Sequence, residues 1–173
     1  MKQLFFTIAL AFLATVSFAQ KPVMGCVDRD IRLQSEELRS AFLKQGLSVL
    51  RDAMIGMQSN EPTPIAVNFT KGKLYQMVYI ANRASSKMEL EIFDGNDKKI
   101  GSKSAGGTGE PNYIIYSFIP DKTDIYLVVL SQKFKGKETC GSFTILAETP
   151  PAEAPVKAEN PSNKNTPTPP KKK

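Results

Sequence analysis

The sequence predicts an all-β protein: an antiparallel β-sandwich of jelly-roll type, with one N-terminal helix and a disordered C-terminal tail. Three observations lead there. Short apolar runs rich in β-branched and aromatic residues recur at regular spacing between Ile65 and Ala147, with turn residues between them. Residues 125–130 form a continuous apolar run bounded by Asp-Lys-Thr-Asp and Ser-Gln-Lys, short enough for a strand and too short for a typical helix. The chain's only cysteines, Cys26 and Cys140, fall near the start of the mature chain and in its closing hairpin, so one bridge would tie the sandwich to its own beginning.

In chain order, the first segment reads as a secretory signal, residues 1–19. Lys2 supplies the charged region, residues 4–16 the apolar core, and Ser17-Phe18-Ala19 a small-x-small cleavage site. A membrane-spanning helix needs about 20 apolar residues, so no transmembrane segment is expected after cleavage. Val23-Met24-Gly25-Cys26 has the look of a lipobox, but Gln20-Lys21-Pro22 separate it from the apolar core. Lipid anchoring at Cys26 is therefore not expected, and Cys26 is assigned to a disulfide with Cys140. The expected location is periplasmic or extracellular.

Residues 20–33 show no clear period. Ser35 is the expected helix N-cap, followed by Glu36 and Glu37 where the helix dipole favours anions. Leu38, Ala41 and Phe42 give the apolar stripe, and Gly46 the stop. Residues 47–57 admit two readings. Leu43, Leu47, Leu50, Met54 and Met57 keep helical spacing, whereas Leu47, Val49, Ala53, Ile55 and Met57 alternate. Gly46 and Gly56 would each cost a helix about 1 kcal/mol, which favours helix 35–45 followed by strand 47–57.

Asn60-Glu61-Pro62-Thr63-Pro64 is a turn. Strands are then expected over residues 65–69, 74–81, 88–93, 99–102, 113–119, 125–130 and 142–147. The run at 125–130 should be buried on both faces. In the last strand Phe143, Ile145 and Ala147 alternate with Ser142, Thr144 and Leu146, so it should be mostly half-buried. Residues 70–73 and 94–97 are tight connections, and 102–112 a Gly-rich loop. Residues 149–173, rich in Pro and Lys, hold too little apolar surface to offset chain entropy and should be disordered. One domain is left, residues 20–148.

The formal net charge of +6 is dispersed. Setting aside Lys2 and the last 26 residues, with five lysines against three glutamates, leaves about +3, too little for a nucleic-acid footprint. The 173 residues include no histidine, which removes Ser-His-Asp and Cys-His nucleophile pairs and the commonest zinc ligand. No catalytic residue, metal ligand or cofactor is assigned. Asp94-Gly95-Asn96-Asp97 lacks the ligand spacing of a calcium loop and fits a hairpin turn. Residues 101–109 lack the Gly-Lys-Ser/Thr end and following helix of a phosphate loop. Tyr75, Met77 and Tyr79 share one face of a strand, and with Tyr113 and Tyr116 they form a possible binding face if no helix covers it.

Lys71-Gly72-Lys73-Leu74-Tyr75, the run from Met88 to Asn96, and the run from Asp124 to Val129 resemble the strand starts and hairpin of the bacterial pre-peptidase C-terminal domain. The likeness covers about residues 64–147. It implies a jelly-roll sandwich with a non-catalytic role in substrate or surface binding. No peptidase precedes the domain in this sequence, and Cys26 and the N-terminal helix are additions to the pattern. The chain as a whole is also similar to small stand-alone exported bacterial proteins. The expected function is thus that of a non-enzymatic cell-envelope protein that binds a protein or glycan through its sandwich. The alternative is a structural accessory subunit that reaches a partner through its basic Pro-rich tail. A hydrolase with an unrecognised site is the least favoured reading.

Overall fold

The computed structural model describes residues 25–107 and 109–148. The expected signal (1–19), the first two residues of the lipobox-like stretch and the Pro/Lys-rich tail (149–173) lie outside the described residues. The elements run α1 (Arg29–Lys44), β1 (Leu47–Gln58), β2 (Thr63–Phe69), β3 (Tyr75–Ile80), β4 (Lys87–Phe93), β5 (Lys99–Ala105), β6 (Tyr113–Phe118), β7 (Asp124–Lys133) and β8 (Glu138–Glu148). Two four-stranded antiparallel sheets, ordered β1-β8-β3-β6 and β2-β7-β4-β5, stack into the expected sandwich.

Helix α1 begins earlier than Ser35. Asp28 is the N-cap, its Oδ1 accepting from the amides of Asp30 (3.0 Å) and Ile31 (3.1 Å). Ser35 is instead an interior residue, buried, with its hydroxyl 3.1 Å from that of Ser142 on β8. The stripe facing the sheet is Ile31, Ser35, Leu38 and Phe42, so a serine in the middle of an apolar face imitated a cap. At the other end Gln45 is the C-cap and Gly46 takes φ +85°, the left-handed conformation expected of a stop. Residues 47–58 then form a strand, pairing with β8 from Leu47↔Glu148 to Gln58↔Glu138 with one bulge at Leu50.

Between the sheets, Met77, Tyr79, Phe143 and Ile145 from one side meet Leu90, Ile92, Val128 and Leu130 from the other, all at or near zero exposure. At one end of this core Phe69 packs against Tyr75, Phe118 and Tyr126, with ring centroids 4.5, 5.4 and 5.7 Å apart. A second cluster lies outside the first sheet, where Val78, Ile80 and Leu146 are roofed by Ile31, Leu38 and Phe42 of α1.

That roof reverses two burial expectations. β8, expected to be half-buried, is buried on both faces from Gly141 to Ala147, because it is an inner strand lying beneath α1. β7, expected to be buried on both faces, alternates: Tyr126, Val128 and Leu130 enter the core, while Leu127 and Val129 are half-buried and Ile125 is 61% exposed. No helix lies over its sheet among the described residues. The strands of the β4–β5 and β7–β8 hairpins also run further than their apolar runs, β5 reaching Ala105 and β8 starting at Glu138.

The Cys26–Cys140 disulfide is formed, with Cα atoms 5.8 Å apart. It ties the residues just before α1 to β8, and it is a bond of the kind that persists in oxidising compartments. No helix among the described residues is long and apolar enough to cross a membrane.

Candidate functional site

The five residues expected to share a binding face do not make one. Tyr75, Met77 and Tyr79 are 2%, 0% and 0% exposed and point between the sheets. The register Met77↔Tyr116 and Ile80↔Tyr113 sends Tyr116 into the same core and Tyr113 to the opposite face, under α1. Four of the five therefore come together as core, and the fifth is separated from them. The hydroxyls of Tyr75 and Tyr79 are used internally. Tyr75 Oη accepts from Thr70 N at 2.9 Å, and Tyr79 Oη donates to the Ser131 carbonyl at 3.2 Å. Burial pushes the Tyr79 phenol far above the ordinary tyrosine range.

A polar cleft of about 210 Å³ lies at the end of the sandwich where Phe69 and Tyr126 close the core. It forms because β4 and β7 are antiparallel neighbours with Phe93 opposite Leu127, which sets the 94–98 turn against the connection that enters β7. The turn is the hairpin the sequence predicts. Asp94 N donates to Lys98 O (2.9 Å), Asp97 takes φ +58°, and Asp94 Oδ1 accepts from the amides of Asn96 and Lys98, both at 3.0 Å. The bond from the Lys98 amide, assisted by that from Asn96 and by the charges of Lys98 and Lys122, holds the Asp94 carboxyl below the usual range.

Across the cleft stand Asp121, Lys122 and Asp124. Tyr126 Oη donates to the Lys122 carbonyl at 3.0 Å and to Asp121 Oδ1 at 3.4 Å, and its pKa is raised, first of all by burial. Gly95 packs so close to Asp124 that a Cβ there would sit 2.9 Å from Oδ2. Ile100, 40% exposed, adds an apolar wall. Lys98 and Lys122 form no ion pair with the three aspartates, although both charge signs line one cleft. Among the described residues no group of three or more acidic or cysteine side chains is arranged to hold a metal ion. Each aspartate has already spent its Oδ1 inside the protein, Asp94 on the turn amides, Asp121 on Tyr126 and Asp124 on the Ile125 amide at 2.7 Å, so what the cleft offers is their second oxygens and two ammonium groups above a tyrosine floor.

Asp121, Lys122, Asp124 and Tyr126 were not singled out from sequence. The two aspartate-bearing connections, Asp94–Asp97 and Asp121–Asp124, were visible there, but only the pairing of β4 with β7 brings them together.

No family model and no curated protein matches the chain, so the likeness to pre-peptidase C-terminal domains rests on its motifs alone. A solved structure described as "CBM4 structure and function" is similar at TM-score 0.35 and 13% identity, covering 60% of this chain and 79% of that one. A likeness at that level carries no functional argument.

Proposed function

We propose that the chain is an exported, non-enzymatic binding protein that holds a glycan in the cleft between the 94–98 turn and the Asp121–Asp124 connection. The observation that carries this reading is that three carboxylates and two ammonium groups line that cleft without closing an ion pair. Vicinal sugar hydroxyls donate to carboxylates and accept from ammonium groups, while ring C–H faces need a small apolar wall such as Ile100 with Tyr126 beside it. Asp94, fixed by two backbone amides, is pre-ordered as an acceptor, which lowers the entropy cost of binding. The disulfide supports export.

Titration of the intact oxidised protein with neutral, amino-bearing and uronate-bearing oligosaccharides, followed by amide NMR shifts, tests the proposal. Saturable shifts are expected at Asn96, Lys98, Lys122 and Tyr126. Asp124→Asn should weaken the best ligand about tenfold, the equivalent of about 1.4 kcal/mol. Binding unchanged in that variant, or shifts centred elsewhere, would show that the cleft is not the glycan site.

A further inference from the structure

We infer a second ligand site at the opposite end of the sandwich, one that takes a small zwitterion of the α-amino-acid class. The strand pairing puts it there. β3 and β6 run from Tyr75↔Phe118 at the first cleft's end to Ile80↔Tyr113 at the other, and Asn82, Arg83 and Asn112 lie just past the latter pair. With the start of α1 they line a half-open pocket of about 130 Å³, room for a molecule of a few heavy atoms.

The polar side of the pocket is fixed, while Asp30 and Arg83 stand at exposed positions on its rim. Gln34 of α1 and Asn112 exchange two amide hydrogen bonds, each 3.0 Å, and Asn112 Nδ2 also donates to the Ala81 carbonyl at 2.8 Å. The Asn82 amide donates to Oε1 of Gln132 at 3.1 Å, and Gln132 is itself 1% exposed. Asp28 Oδ1 is spent on the helix cap, but its other oxygen, the whole Asp30 carboxylate and the Arg83 guanidinium take no partner among the described residues. Arg83 thus shares a small cavity with two carboxylates yet stands more than 4.0 Å from both.

Opposite charges that face one cavity without closing on each other are satisfied together by a molecule that carries both charges. An α-amino acid places its carboxylate on the Arg83 fork and its ammonium on Asp28 and Asp30. The partial positive charge at the α1 N-terminus opposes an ammonium, and the two aspartates more than offset it. Ile31, 3% exposed, supplies an apolar floor suited to a small aliphatic side chain. A simple anion or a simple amine would leave one partner unpaired.

The test titrates the intact oxidised protein with alanine, and separately with acetate and with methylamine, reading amide NMR shifts. Alanine should give saturable shifts at Asp30, Ile31, Arg83 and Asn112, with acetate and methylamine each at least tenfold weaker. Arg83→Gln and Asp30→Asn, both at exposed positions, should each weaken alanine about tenfold and leave the rest of the spectrum in place. No saturable shift with alanine up to roughly 10 mM, a value that corresponds to only weak affinity, would overturn the assignment. So would acetate binding as tightly as alanine. Shifts at Asn96, Lys98 and Lys122 report the other cleft, so either site can fail without the other.

Discussion

Replacing Cys26 and Cys140 together by serine should cost the fold about 3–5 kcal/mol, most of it through the unfolded state. The bridge closes a loop with a sequence separation of 114 residues. For about 115 residues the chain-entropy relation gives roughly 16 cal/mol/K, or about 4.8 kcal/mol at 25 °C, as the stabilisation lost when the denatured chain is set free. Cys140 also packs at the margin of the cluster beneath α1, so a serine there gives up a little apolar contact. At roughly 2.1 cal/mol/K of unfolding entropy per residue, the described domain should melt about 12–19 °C lower. The sequence contains no tryptophan, so urea unfolding is best followed by far-UV circular dichroism and tyrosine fluorescence. The m-value should rise as the untethered chain exposes more surface. A loss below about 1 kcal/mol with unchanged m would mean that the denatured state keeps the N-terminal segment near β8 without the bond, and the entropic account would be wrong.

Three further outcomes follow from the packing. Leu146→Ala, at a fully buried site beneath α1, should cost about 2–5 kcal/mol, whereas Ile125→Ala, 61% exposed, should stay within about 0.5 kcal/mol; equal costs in urea titrations would contradict the burial found for β7 and β8. Ser35→Ala should cost about 1–3 kcal/mol because it strands the buried Ser142 hydroxyl, and adding Ser142→Ala should recover part of the loss; strict additivity in the double-mutant cycle would show that the two hydroxyls are not coupled. Stability should fall at alkaline pH. The folded pKa of Tyr79 is raised above the unfolded value of 10.0, so its contribution is complete below about pH 10 and is lost as pH rises beyond it, because the unfolded chain then holds fewer protons. Tyr79→Phe should flatten that alkaline fall, and an unchanged slope would point to Tyr126, which is raised in the same direction.

The fold class was legible because period-2 patterning and turn chemistry are local properties, and β2 to β8 each carry them. The assignment of faces was not. Residues 125–130 and 142–147 differ in apolar content in the sense opposite to their burial, because burial depends on which sheet α1 covers. Ser142 and Thr144 read as solvent-facing, yet each is 2% exposed, paired with Ser35 and Asp52 respectively. A polar residue whose partner is about a hundred positions away cannot be recognised as buried from its own neighbourhood. The tyrosines failed for the same reason. Alternation showed that they share a face, and only the stacking of the second sheet decided that the face is interior. The polar cleft was legible in halves, as two aspartate-bearing connections whose meeting depends on the β4–β7 register.

The placement of both proposed sites at the ends of the sandwich follows from how its other surfaces are used. The outer face of the β1-β8-β3-β6 sheet is roofed by α1. Two of the four sheet edges are blunted by cations, with Arg51 donating to the Ala66 carbonyl of β2 and Lys103 to the Ile115 carbonyl of β6, both at 3.0 Å. On the other sheet, the outward carboxylates of β4 are already paired, Glu89 with Lys87 at 2.9 Å and Glu91 with Lys99 at 2.8 Å. Charges spent on one another bind a newcomer weakly, since the ligand must first replace what they have. The ends differ. There the connections bring Asp94, Asp121 and Asp124 beside Lys98 and Lys122, and Arg83 beside Asp28 and Asp30, with no ion pair closed in either place. Asp94 and Asp28 are held in place by the backbone amides they accept from, and carboxylates fixed beside cations with which they close no ion pair are available to a ligand.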